Sequence, residues 1–217
     1  ANDTAAIDTG SGDDTLTLVT GAFDATFTVS GFGSGDSATL NLNGSAAADM
    51  SVAQGGSSTV IDDAGGHGAV IFSAYTGNFT TSNLTFSDGS VLVTNFGSTA
   101  ATLSGGTANS DQFIAGSAGD TFEFDDADFA AADVLKGGTG SDTLTFTDAT
   151  AITAAELANK TSIETVLFDD FTSSIVLGTA ATAAGITAVN ASAMTAGQAL
   201  TVTDTGAVAT EYTVTGG

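Results

Sequence analysis

The residues best equipped for chemistry in this chain are aspartates set in glycine-rich turns. The clearest run is Asp133-Val134-Leu135-Lys136-Gly137-Gly138-Thr139-Gly140-Ser141-Asp142-Thr143-Leu144, whose second half reads Gly-Gly-x-Gly-x-Asp-x-Leu. Asp133 and Asp142 lie nine residues apart, each two residues before a leucine. Carboxylates are hard oxygen donors of the kind Ca²⁺ prefers. Glycines reach backbone conformations that can turn carbonyls toward the same ion. A similar pattern opens the chain, with Gly10, Gly12 and Asp14 ahead of Leu16. It returns in weaker form at 105–122, where Asp111 and Asp120 are again nine apart and Phe113 and Phe122 follow them. There Asn109 and Ala118 replace glycine, while Gly116 is kept. A looser Gly/Asp turn spans Gly31 to Asp36. The candidate metal ligands are therefore Gly10, Gly12, Asp14, Asp111, Gly116, Asp120, Asp133, Gly138, Gly140 and Asp142. Beside each stands a plainer role, because Asp in such turns also bonds its own backbone.

Three acidic clusters lack the glycine frame: Asp62-Asp63, Asp125-Asp126-Asp128 and Asp169-Asp170. They read as solvated loop charge, with 125–128 the best of them for irregular calcium binding. The one histidine, His67, sits in a Gly-Gly-His-Gly turn, too few nitrogen ligands for zinc. No Gly-x-Ser-x-Gly elbow is present, and cysteine is absent, so neither kind of nucleophilic catalysis finds a frame. The expectation is a protein that is not an enzyme.

The turn at 137–144 resembles the RTX (haemolysin-type) calcium-binding repeats of secreted bacterial proteins. That resemblance implies a β-roll, in which each Ca²⁺ lies between stacked turns and is shared by turn carbonyls and aspartates of neighbouring repeats. Segments such as Ile163-Glu164-Thr165-Val166-Leu167 and Ile186–Ser192 look like the stacked strands of RTX-containing surface-layer proteins. The implied cofactor is Ca²⁺, and the implied location is extracellular or at the bacterial surface after type I secretion.

The elements that must position these turns are short strands. Period-two alternation marks Ala25–Val29 and Ala38–Leu42. Further strands are expected at Met50–Ala53, Thr59–Ile61, Ala69–Phe72, Asn83–Phe86, Val91–Thr94 and Ser162–Phe168, with turn signals about every ten residues. One helix is expected after the Thr153–Glu156 capping box, through Leu157–Lys160, and one helical turn within 127–132. The fold class is all-β, a parallel β-helix or β-roll stack, with a β-sandwich over 17–103 as the alternative. The organisation divides as a β-rich segment 1–103, a calcium-binding β-roll 104–150, and a short helix followed by Thr/Ala-rich strands 151–217.

Composition narrows the partners. The chain of 217 residues carries 25 acidic residues against two lysines and no arginine, a net charge of −23. Such a surface repels nucleic acid and anionic membranes. No apolar run has transmembrane length. Hydrophobic residues at 42% exclude a disordered acidic tail. Without disulfides, bound metal is an available staple. Joined tail to head, Gly216-Gly217 and Ala1-Asn2-Asp3 form a nine-residue repeat with the residues up to Ile7, which suggests tandem copies or head-to-tail stacking. These features lead to the expectation of a calcium-stabilised extracellular structural protein, a self-assembling unit of a surface layer, filament or biofilm matrix. Its partner would be itself, with cell-surface polysaccharide as a second candidate. An adhesin or carbohydrate-binding module, or a non-catalytic domain of a larger secreted enzyme, are the alternatives.

Overall fold

The computed structural model describes residues 3–21, 25–206 and 211–217. The chain divides into two compact units, Ala1–Phe96 and Gly97–Gly217. Residues 104–150 and 151–217 thus belong to one unit. The strands of each unit stack as a parallel β-solenoid, about 9 turns in all.

In the first unit, β1 (Asp3–Asp8), β3 (Ala25–Ser30) and β7 (Ala69–Ser73) pair in parallel. So do β2 (Thr15–Thr20), β4 (Ser37–Leu42) and β8 (Leu84–Phe86), followed by β9 (Leu92–Thr94). Parallel pairing rules out the sandwich, which is built from antiparallel sheets. The expected strands of this region all form. Their alternation sends Leu18, Leu40 and Phe86 to one inward column, in register one above another. Between the second and third rungs an antiparallel hairpin intervenes, β5 (Met50–Gly55) and β6 (Ser58–Asp63), which extends the sheet beyond β7. Phe32, Phe72, Tyr75 and Phe79 cluster beside it, with ring centroids 4.7 to 6.3 Å apart.

The second unit holds β10 (Thr102–Leu103), β11 (Gln112–Ile114), β12 (Thr121–Phe124), β13 (Val134–Lys136), β14 (Thr143–Phe146), β15 (Ala151–Ile152) and β16 (Lys160–Thr161). It continues with β17 (Thr165–Phe168), β18 (Ser173–Leu177), α1 (Thr179–Ala184), β19 (Ala188–Asn190), β20 (Leu200–Asp204) and β21 (Thr213–Thr215). Its longest sheet runs β10-β12-β14-β17-β19-β21. Phe122, Leu144, Val166 and Val189 form one inward column there and Phe124, Phe146 and Phe168 another, all buried. A second sheet pairs β11, β13 and β16, and a third pairs β15, β18 and β20.

Two helical expectations are corrected. At Thr153 half of the capping box forms, Thr153 N–H donating to the Glu156 carboxylate at 2.7 Å, but Oγ1 donates to the same carboxylate at 2.7 Å and Glu156 N–H goes to the Thr153 carbonyl. The chain nevertheless only bends there, because Asn159 adopts φ 59° and sends Lys160 into strand β16. Residues 127–132 likewise make turns, since Ala130 N–H is taken by the Asp133 carboxylate at 2.7 Å. The one α-helix among the described residues is α1, an alanine-rich segment stopped by Gly185 in the left-handed conformation, φ 95°.

Candidate functional site

The glycine–aspartate turns lie at two corners of each coil. Residues nine apart occupy different corners, and residues 22 apart stack. Asp111 and Asp133 share one corner, and Asp120 and Asp142 the other. The nine-residue spacing is thus the distance across one side of a coil, with thirteen residues on the return. The ten candidate ligands are accordingly not gathered at one point. They line the corners in vertical columns.

Within each column the carboxylates form a ladder. Asp142 Oδ1 accepts the N–H of Asp120 at 2.7 Å, and Asp133 Oδ1 accepts that of Asp111 at 3.0 Å. Asp36 does the same for Asp14 at 2.8 Å. Glu164 continues the series by accepting Asp142 N–H at 2.7 Å, and Asp120 extends it backward to Ala101 N–H at 2.7 Å. Each bond satisfies a buried backbone donor that the strand pairing leaves over. Asp111, Asp120, Asp133 and Asp142 are all at most 1% exposed.

The second carboxylate oxygen divides the turns into two kinds. In Asp36 and Asp133 it closes its own turn, on Gly33 N–H at 2.8 Å and Ala130 N–H at 2.7 Å. In the 137–142 turn the matching donor, Thr139 N–H, is bonded to Gly116 O of the previous coil instead. Asp142 Oδ2 is consequently buried without a hydrogen-bond partner, as is Asp14 Oδ2. Burial pushes the Asp142 carboxyl above its ordinary value, and Glu164 and Asp120 add like-charge repulsion. Asp133 is also pushed up by burial, against the pull of its two N–H donors and Lys160. Asp36 moves the other way, held low by the Asp14 and Gly33 N–H groups. Asp36 is buried as well, and there the two N–H donors outweigh the cost of burial.

The glycines serve the stacking. A side chain at Gly138 would run into the carbonyls of Ala115 and Gly116, and one at Gly140 into that of Ala118. Gly138 and Gly140 also adopt φ 84° and 136°. Gly10 and Gly12 need only the conformation, φ 82° and 123°, with open space around them.

Comparison with family descriptions, with curated proteins and with solved structures finds no match. The site must therefore be read from its own geometry. Among the described residues, no three His, Cys, Asp or Glu side chains come together to hold a metal ion. No helix of the described residues is long and apolar enough to cross a membrane.

Two features lay outside the sequence reading. Lys160 occupies an inward position, in register with Leu135 and through it Phe113, and is 2% exposed. The available signal was its rarity, since one of only two cations in so acidic a chain has an unusual choice of partners. Glu164, within the strand expected at Ser162–Phe168, is the third acid of the Asp120–Asp142 column. His67 is tied by Nδ1 to the buried Asp63 at 2.5 Å. Burial works to raise Asp63, but the Gly65 N–H, the His67 ring and N–H, and Ser45 Oγ together hold it low. That network pins the β6–β7 turn and offers no nucleophile.

The acidic cluster at 125–128 borders a surface depression of about 260 Å³ with Gly105, Gly106 and Glu123. Burial, then Asp125 and Asp148, push the Asp128 carboxyl up.

Proposed function

We propose that this chain is a calcium-stabilised structural element of an extracellular assembly. The observation that carries the reading is the column Asp120–Asp142–Glu164. It stacks three acids at one corner of successive coils, with one carboxylate oxygen buried and unpartnered. A buried charge left without a counter-charge is costly, and a bound cation relieves it. Ca²⁺ takes six to eight oxygens, about 2.3–2.6 Å away. Asp142 Oδ2 would supply one, and turn carbonyls and water the remainder. Bound calcium would neutralise the column, and because it would bind only the folded coil it would add to stability.

The solenoid itself suits a stacking role. The outermost strands β1, β2, β20 and β21 each pair with a neighbour on one side. A parallel edge can template the next rung, whether that rung belongs to the same polypeptide or to another copy. The proposed partner is therefore a further solenoid rung. The junction that joins tail to head includes Ala1 and Asn2, which lie outside the described residues.

Electron microscopy and thermal melting, each with calcium and with chelator, test the reading. Ordered fibres or sheets that dissolve in chelator, together with a lower melting temperature, are expected. Unchanged melting curves would sink the calcium role, and dispersed single particles at every calcium level would sink the assembly role. Binding to a glycan array without assembly would favour an adhesin.

A further inference from the structure

We propose that the Lys160 ammonium is a built-in cation for the Asp111–Asp133 corner, so that this corner needs no metal. The inference rests on the reading above only in assigning any metal requirement to the other corner.

Lys160 enters the core from β16 in the column where Phe113 and Leu135 stand above it. Its Nζ donates to the carbonyl of Asp133 at 2.7 Å and to that of Ala130 at 2.8 Å. The same ammonium lies 4.8 Å from the centroid of the Phe129 ring, in the same turn. It therefore gathers main-chain oxygens of a glycine–aspartate corner, much as a bound cation would. Its charge also attracts the Asp133 carboxylate nearby. That carboxylate has both oxygens occupied, on Asp111 N–H and Ala130 N–H. Donors and charge are both accounted for at this corner, and neither Asp133 oxygen is left without a partner. At the other corner neither condition holds. The side chains that act on Asp142 from neighbouring coils are acids, Glu164 and Asp120, set against a single N–H donor from Asp120, and its Oδ2 has no partner. The two corners of one coil thus solve the same problem differently, one with a lysine of the chain and one without any cation of the chain.

The test is a charge-compensation cycle on the full chain, melted in chelator and in calcium. Lys160→Met keeps the apolar stem and removes the cation. In chelator it is expected to lower the melting temperature by about 10 °C, because it strands a buried carboxylate. Adding Asp133→Asn to that variant is expected to recover part of the loss, since the stranded charge is then gone. Asp133→Asn alone is expected to leave any calcium-induced rise in place. A double variant no more stable than Lys160→Met, or loss of the calcium-induced rise in Asp133→Asn, overturns the proposal. Should Lys160→Met fail to fold, folding of the double variant supports the proposal, and failure of both overturns it. A wild-type chain indifferent to calcium would count against the calcium reading alone, because the chelator arms decide the role of Lys160 without it.

Discussion

The two units build the same corner and load it differently. In the first, Asp14 and Asp36 stack as in the second, but the next rung follows a hairpin and brings Asn83. Asn83 closes its own turn on Thr80 N–H at 2.7 Å and adds no charge. In the second unit the step of 22 residues continues without interruption, and Asp120, Asp142 and Glu164 follow one another. The consequence is read in the carboxyls, since Asp36 is held low and Asp142 is pushed up. A carboxylate with both oxygens used, as in Asp36, is thus stabilising, although Asp14 below it keeps one oxygen unpartnered. What separates Asp142 is the pair of acids beside it, Asp120 and Glu164, whose charge turns the same ladder into a demand for a cation.

The largest effect tests whether the two cores are separable. Phe146→Ala in the second unit and Phe72→Ala in the first should each cost about 3–5 kcal/mol. Hydrogen exchange should report the lost protection within the mutated unit, and equal loss in both units would break the comparison. Next in size are the glycines. Gly10→Ala and Gly138→Ala both force alanine into the left-handed region, at about 1–2 kcal/mol. Gly138→Ala must also displace the Gly116 carbonyl, so denaturant unfolding should show it to be the more damaging.

The carboxyls come third, with opposite signs. Asp36→Asn should destabilise at neutral pH by about 1 kcal/mol, through a weaker acceptor for two N–H groups. Asp142→Asn, measured in chelator, should be neutral or stabilising, because it removes a repelled charge. The pH dependence follows from the shifts. Asp36 is lower when folded, so its contribution is present above the ordinary value of 3.8 and is lost as pH falls through its lower folded value. Asp142 is higher when folded, so its contribution is complete below 3.8 and is lost as pH rises through its raised folded value. Mild acidification from neutrality should therefore stabilise the wild type relative to Asp142→Asn and leave its difference from Asp36→Asn unchanged. Lys160 adds a slope on the alkaline side. Burial lowers its pKa to about 8, with Asp133 and Glu156 opposing. The folded chain then loses this proton before the unfolded chain does, so the stability contributed by this group rises between about 8 and 10.5. Subtracting the melting curve of Lys160→Met isolates that slope. The smallest effect is proteolytic. With Lys160 buried, brief trypsin treatment should cut after the exposed Lys136 and at no other lysine.

Much of the fold is legible in the residues. Alternation at Thr15–Thr20 and Ser37–Leu42 marks half-buried strands because one face of each meets a core. The turns announce themselves through glycines whose conformation or crowding admits nothing larger. The coil length is harder to see. Asp111 to Asp120 repeats visibly, but the thirteen-residue return through Phe129 carries no motif, and stacking is set by the sum of the two. The Thr153–Glu156 signal shows the limit of local reasoning, since half of its capping box forms while Asn159 turns the chain and places Lys160 in the core. Conversely, the Ala-rich run before Gly185 carried a helix stop that the surrounding Thr/Ala strands obscured. Burial of Lys160 could not be read from pattern, because its position is apolar by register and cationic by sequence.

The ladder has a direction. In the rungs from Asp14, Asp111, Asp120 and Asp142 the carboxylate belongs to the later coil and the N–H to the earlier one, 22 residues before it. Where the series ends the donor turns elsewhere: Glu164 N–H goes back to the Asp142 carbonyl at 3.1 Å and Asp36 N–H to the Gly33 carbonyl at 3.2 Å, so the last coil closes without a later carboxylate.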